Sequence, residues 1–155
     1  MAYADTIREE QATFTTAANL IDGLLVSKSS ASASSSISTT STTRSQITNL
    51  SVSVTVPANS IVRVDLGLSG SSNSTSLRSF FSVSEDSTTT ASGTEMAYQP
   101  PTASTSGYAA NLVLTHLFTP SAGAHTYRGL WLVESGATFY IRERYLYVTI
   151  FQKGA

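Results

Sequence analysis

The 155-residue chain has no cysteine, one tryptophan and four prolines, and charged side chains make up only 12% of it. Without cysteine there is no disulfide, thiolate zinc site, iron–sulfur cluster or thiol nucleophile. The charged share is about half that of an ordinary soluble domain. Nine basic and ten acidic side chains leave a net charge of −1. The positive footprint with which nucleic-acid binders neutralise phosphates is missing, so no nucleic-acid partner is expected. No apolar run approaches the roughly 20 residues that span a bilayer, so no membrane partner is expected. Met1–Glu10 is polar and carries Glu9 and Glu10, where a secretory signal would be basic and then apolar. The chain is expected to stay in the cytoplasm that makes it, or to be assembled there into something that later leaves.

Catalytic motifs are missing too. There is no glycine-rich phosphate loop, no His-Glu-x-x-His pair and no Gly-x-Ser-x-Gly elbow. His116 and His125 flank the turn at Pro120–Gly123 and could face each other across a hairpin. Two histidines fall short of a four-ligand set, and no metal or cofactor is expected. Glu85, Asp86 and Glu95 lack EF-hand spacing and read as solvated loop charges. Enzyme activity is not expected.

Hydroxyl groups replace the missing charge: 27 Ser and 22 Thr make up roughly a third of the chain. Residues 27–45 are nearly all Ser, Thr and Ala. That composition suits either a flexible tether or a β-strand lying over a surface, because β-branched Thr favours strands. From Gln46 onward apolar residues alternate with polar ones. Leu50, Val52, Val54 and Val56 share one face; after Pro57-Ala58-Asn59, Val62, Val64, Leu66 and Leu68 share another, with Arg63 and Asp65 opposite. This period of two predicts a pair of antiparallel strands. Further strands are predicted around Leu77–Val83, Leu112–Phe118, His125–Val133, Ala137–Ile141 and Tyr145–Phe151, with a short edge strand near Thr94–Tyr98. Seven to nine strands with short turns and no long helix predict an all-β fold, an antiparallel β-sandwich or jelly roll with an extended N-terminal arm. The arm is placed at 1–33 and the sandwich domain at 34–155. Arg142-Glu143-Arg144 reads as a solvated hairpin tip between the last two strands.

The last strand places Leu146, Val148 and Ile150 toward the core and Tyr145, Tyr147, Thr149 and Phe151 on the other face. Aromatics in register on an outer sheet face mark an interface. With nine of the fourteen aromatics from Tyr108 onward, Tyr127 and Trp131 are expected to join Tyr145, Tyr147 and Phe151 there. Closed symmetry would hide such a patch. The arm carries Phe14, Leu20, Ile21, Leu24 and Leu25, apolar contacts suited to gripping a neighbour.

Two stretches carry a resemblance. Thr42–Ser60 with its following strand, and Pro120–Trp131 with Ser135–Thr138 and Arg144–Ile150, resemble in order the jelly-roll domains of bacteriophage virion proteins: capsid decoration proteins, head fibres and tail-fibre heads. These are similar in outline to trimeric tumour-necrosis-factor-like modules. The resemblance covers roughly residues 40–152. It implies a homotrimer with its last strands near the three-fold axis. With only a short arm before the domain, the expectation is a non-enzymatic decoration (cement) protein on the outer capsid surface of a virion, with itself and the major capsid protein as partners. A receptor-binding fibre head is the alternative, with Tyr98 and Tyr108 in a loop-rich segment 85–107 suited to stacking on sugars.

Overall fold

The computed structural model describes residues 25–100 and 110–152. They form nine strands: β1 (Leu25–Ala33), β2 (Ile37–Thr39), β3 (Ser45–Val56), β4 (Ser60–Ser72), β5 (Ser79–Glu85), β6 (Glu95–Tyr98), β7 (Ala110–Phe118), β8 (Gly123–Val133) and β9 (Phe139–Gln152). A five-stranded sheet runs β1-β9-β4-β7, with β2 also paired to β9; a four-stranded sheet runs β3-β8-β5-β6. All pairs are antiparallel. Except at β1–β2 and β5–β6, the chain changes sheet at every connection. The result is an antiparallel β-sandwich with jelly-roll connectivity.

The inner faces follow the period of two. Val62, Val64, Leu66 and Leu68 of β4 meet Leu146, Val148 and Ile150 of β9 in one sheet, and Phe81, Val83, Tyr127 and Trp131 of the other. Gly129 of β8 has no side chain to intrude, and Leu50 and Leu66 fill the space above it. Burying about twenty such side chains supplies the main driving force, at roughly 1.5–3 kcal/mol for each fully buried large apolar group.

Several expectations change. The alternation at Leu50–Val56 and Val62–Leu68 does mark strands, but β3 and β4 do not pair. They lie in opposite sheets, joined by an arch in which Asn59 takes φ 58°. Both strands bury a face against the same core, and facing each other across it satisfies the pattern as well as lying side by side. Residues 25–33 are not a free arm: β1 pairs with β9 from Leu25↔Phe151 to Ala33↔Arg144. Residues 27–33 and 37–39 of the Ser/Thr-rich segment are therefore strand, as their β-branched and small residues permit, with bends between and after them.

Arg142-Glu143-Arg144 is not a hairpin tip either. β9 is continuous through it, and the register against β4 steps from Ser69↔Glu143 to Gly70↔Ile141. The extra residue is a β-bulge. It reverses the alternation, so Phe139 and Ile141 on one side of it and Leu146, Val148 and Ile150 on the other all point inward. Arg144 is buried as a consequence. Its Nε donates to the Thr48 carbonyl (2.9 Å) and its Nη1 to the Ser35 carbonyl (2.7 Å).

Candidate functional site

The outer face of the five-stranded sheet is built in rows across β1, β9, β4 and β7. Leu25, Phe151 and Ile61 align; then Lys28, Thr149, Arg63 and Leu117; then Ser30, Tyr147, Asp65 and Thr115; then Ser32, Tyr145, Gly67 and Val113. Val113 is 61% exposed, Leu117 60%, Leu25 48% and Tyr147 37%. The Tyr145 ring lies across Gly67, where any Cβ would overlap it. Its centroid is 4.9 Å from that of Tyr147, and Lys28 Nζ sits 5.0 Å over the Tyr147 ring.

At the centre of this face charge is paired, while Lys28 rests on an aromatic ring instead. Arg63 Nε donates to Asp65 (3.0 Å), and the Thr115 hydroxyl donates to the same carboxylate (2.6 Å). Shallow clefts flank Tyr145. One of about 140 Å³ is lined by Gly67, Asn111, Val113 and Glu143; the other, of about 360 Å³, by Ser32, Ser34, Glu143 and Tyr147.

Tyr145, Tyr147 and Phe151 therefore stand where the alternation placed them. Tyr127 and Trp131 do not: they are 0% and 5% exposed in the monomer core. β8 turns its odd-numbered residues inward, and the Tyr127 ring packs 5.1 Å from Phe118. They cannot join a subunit interface. Phe14, Leu20, Ile21 and Leu24 lie outside the described residues, while Leu25 sits at the open end of β1 on the outer face. Tyr98 is in β6 and packs edge-on to Phe139 at 5.9 Å, its hydroxyl pKa raised by burial. Tyr108 lies outside the described residues. Val113 and Leu117 escape the sequence reading as surface residues; the unbroken run Leu112-Val113-Leu114 is their signal, since a one-faced strand needs no apolar residue at 113.

His116 and His125 do not face each other across a hairpin, because β7 and β8 belong to different sheets. His116 stacks edge-on to Phe118 (4.6 Å). His125 instead meets Glu85 and Asp86, at the end of β5 and the start of the following loop. Its Nδ1 is 2.9 Å from Asp86 Oδ2 and 3.1 Å from Glu85 Oε1, and its Nε2 is 3.0 Å from the Ser121 carbonyl oxygen. The Asp86 carboxyl is held below its usual range, chiefly by the Thr126 backbone N–H, with burial opposing and His125 assisting. Burial, reinforced by Glu85, drives the Tyr127 hydroxyl pKa well upward.

No protein-family model matches the chain, and no curated protein matches its sequence. Among solved structures, a chain from infectious bursal disease virus, Gx strain, is similar with a TM-score of 0.41 and 12% identity. The match covers 81% of this chain but 32% of that one, so this chain spans about a third of its length. A likeness that slight carries no argument about function.

Proposed function

We propose that the protein is a non-enzymatic structural component of a virion: a homotrimer, joined through the outer face of the five-stranded sheet, that decorates and stabilises the outer capsid surface against the major capsid protein. The observation that carries this reading is the exposed apolar strip of Leu25, Val113, Leu117 and Tyr147 beside Tyr145 and Phe151. Large apolar side chains this exposed on one sheet face, interrupted by the Arg63–Asp65 pair, suit a contact surface. A second copy suits the strip because Arg63 and Asp65 already neutralise each other. Copies packed around a three-fold axis then bring together little like charge beyond Lys28, which caps the Tyr147 ring. The sequence resemblance to phage jelly-roll domains supports the virion setting and the three-fold symmetry.

Light scattering tests the assembly: the expected mass is three times 16.4 kDa. The double variant Val113→Lys/Leu117→Lys should be monomeric with an unchanged circular dichroism spectrum, since both side chains are exposed. A monomeric wild-type protein at micromolar concentration overturns the trimer. Gold labelling of virus particles tests the location. Label over the shell is expected; label confined to a tail tip would favour the fibre-head alternative.

A further inference from the structure

The cluster at the far end of β5 and β8 belongs to the other sheet and plays no part in the face above. Three potential ligand atoms, one each from Glu85, Asp86 and His125, lie within 4.8 Å of one another. We propose that they bind a divalent transition-metal cation of the Zn²⁺ class, which clips the β5–β6 loop to the start of β8.

The argument begins with the imidazole. Nε2 faces a backbone carbonyl, Ser121 O at 3.0 Å, so Nε2 must carry a proton. A neutral ring has only one, which leaves Nδ1 as a bare lone pair. That lone pair faces two more acceptors, Asp86 Oδ2 at 2.9 Å and Glu85 Oε1 at 3.1 Å. Something electropositive must lie between them: a second proton or a metal ion. A cation with bonds of about 2.1 Å holds adjacent ligand atoms roughly 3.0–3.4 Å apart, close to the 2.9 and 3.1 Å by which the two carboxylate oxygens stand off Nδ1.

Each ligand is also held by a group outside the trio. His125 is anchored on the Ser121 carbonyl. The Oε1 of Glu85 that faces His125 also accepts from the hydroxyl of Tyr127 (3.2 Å), whose side chain is buried in the core. The free Oδ1 of Asp86 accepts from Thr126 N (2.7 Å), and Asp86 N donates back to Thr126 O (2.9 Å). Outer partners of this kind fix ligand orientation in metal sites.

One imidazole nitrogen with two carboxylate oxygens favours Zn²⁺, Co²⁺ or Mn²⁺ over Ca²⁺ and Mg²⁺, which prefer all-oxygen sets. The Asp86 side chain is 51% exposed, giving an entry path and room for water ligands.

The experiment uses the full-length chain after chelator treatment. Isothermal titration with ZnCl₂ should show one Zn²⁺ per chain, with a rise in melting temperature that equal MgCl₂ or CaCl₂ does not produce. His125→Gln and Asp86→Asn should each weaken Zn²⁺ at least ten-fold, while His116→Gln should not. Mn²⁺ added to the wild-type protein should broaden the NMR signals of the His125 ring at a lower concentration than those of the more distant His116, a readout that needs no variant to fold. Absence of binding tighter than about millimolar for Zn²⁺, Co²⁺ and Mn²⁺ overturns the site, as does binding that survives His125→Gln and Asp86→Asn combined in one chain. Neither outcome bears on trimer formation, which is read separately by mass.

Discussion

Replacing Arg144 with methionine tests how the sandwich is locked together. The guanidinium is 2% exposed, and among the described residues no carboxylate pairs with it. It serves instead as a bridge from β9 to two carbonyls: Thr48, inside the irregular stretch of β3, and Ser35, between β1 and β2. Burial lowers its pKa, but its charge persists at neutral pH. A hydrogen bond to a charged donor contributes about 1.5–3 kcal/mol, so two would give about 3–6. Two effects subtract. Ser35 and Thr48 are surface residues, so water can reach the freed oxygens. Removing a buried charge also relieves its desolvation. The expected net loss is about 2–3 kcal/mol, or a melting temperature lower by roughly 4–12 °C for a domain of this size. Urea unfolding followed by fluorescence of Trp131, the only tryptophan and a core residue, measures it. Arg144→Lys should fall between, because a single ammonium cannot span both carbonyls. A loss under about 0.5 kcal/mol, or a gain, would show that desolvation cancels the bridge and refute the reasoning.

Other expectations are simpler. Gly67→Ala and Gly70→Ala, on the same strand, should differ. The first meets only the far end of the Tyr145 side chain and should cost under about 1 kcal/mol while weakening self-association; the second meets the Tyr140 carbonyl and Phe139 ring and should cost about 2–4 kcal/mol by chemical denaturation. Equal costs would contradict the packing described. Ser82→Ala removes a buried hydroxyl that has no partner among the described residues, and should leave stability unchanged or raise it by up to about 1 kcal/mol; a clear loss would mean that the hydroxyl is bonded. Glu134 accepts from the Arg78 backbone N–H and guanidinium, which hold its carboxyl below 4.5. Its folded pKa is depressed, so its contribution is present at neutral pH and fades as pH falls through that lower value. Acid titration of Glu134→Gln should therefore lack part of the wild-type decline; superimposable curves would count against the pairing.

The alternation at Leu50–Val56, Val62–Leu68 and Tyr145–Phe151 makes the strands and their buried faces legible in the sequence. Partnership is not legible. A period of two says that one side of a strand is covered, not which strand lies beside it, and so β3 and β4 read as a hairpin although they face each other across the core. The Arg142–Arg144 run misleads because three charges suggest solvent, whereas the bulge turns the third inward onto carbonyls. For the outer face, Tyr145, Tyr147 and Phe151 can be read from register alone. Tyr127 and Trp131 cannot be sorted from them by type, because large rings suit cores and interfaces equally. Glu85 and Asp86 are about forty positions from His125 along the chain, and only the pairing of β5 with β8 brings them together.

The bulge in β9 also acts as a frame-keeper. The segments on either side of it read in opposite phases, like two lines of text offset by one letter. Losing Arg142 would remove the bulge and put the two halves in step, with Phe139, Ile141, Leu146, Val148 and Ile150 all still inward on one regular strand. The inward faces survive the present length only because the bulge absorbs that one residue, so this strand can be shortened here by one and straightened without turning its core side chains outward.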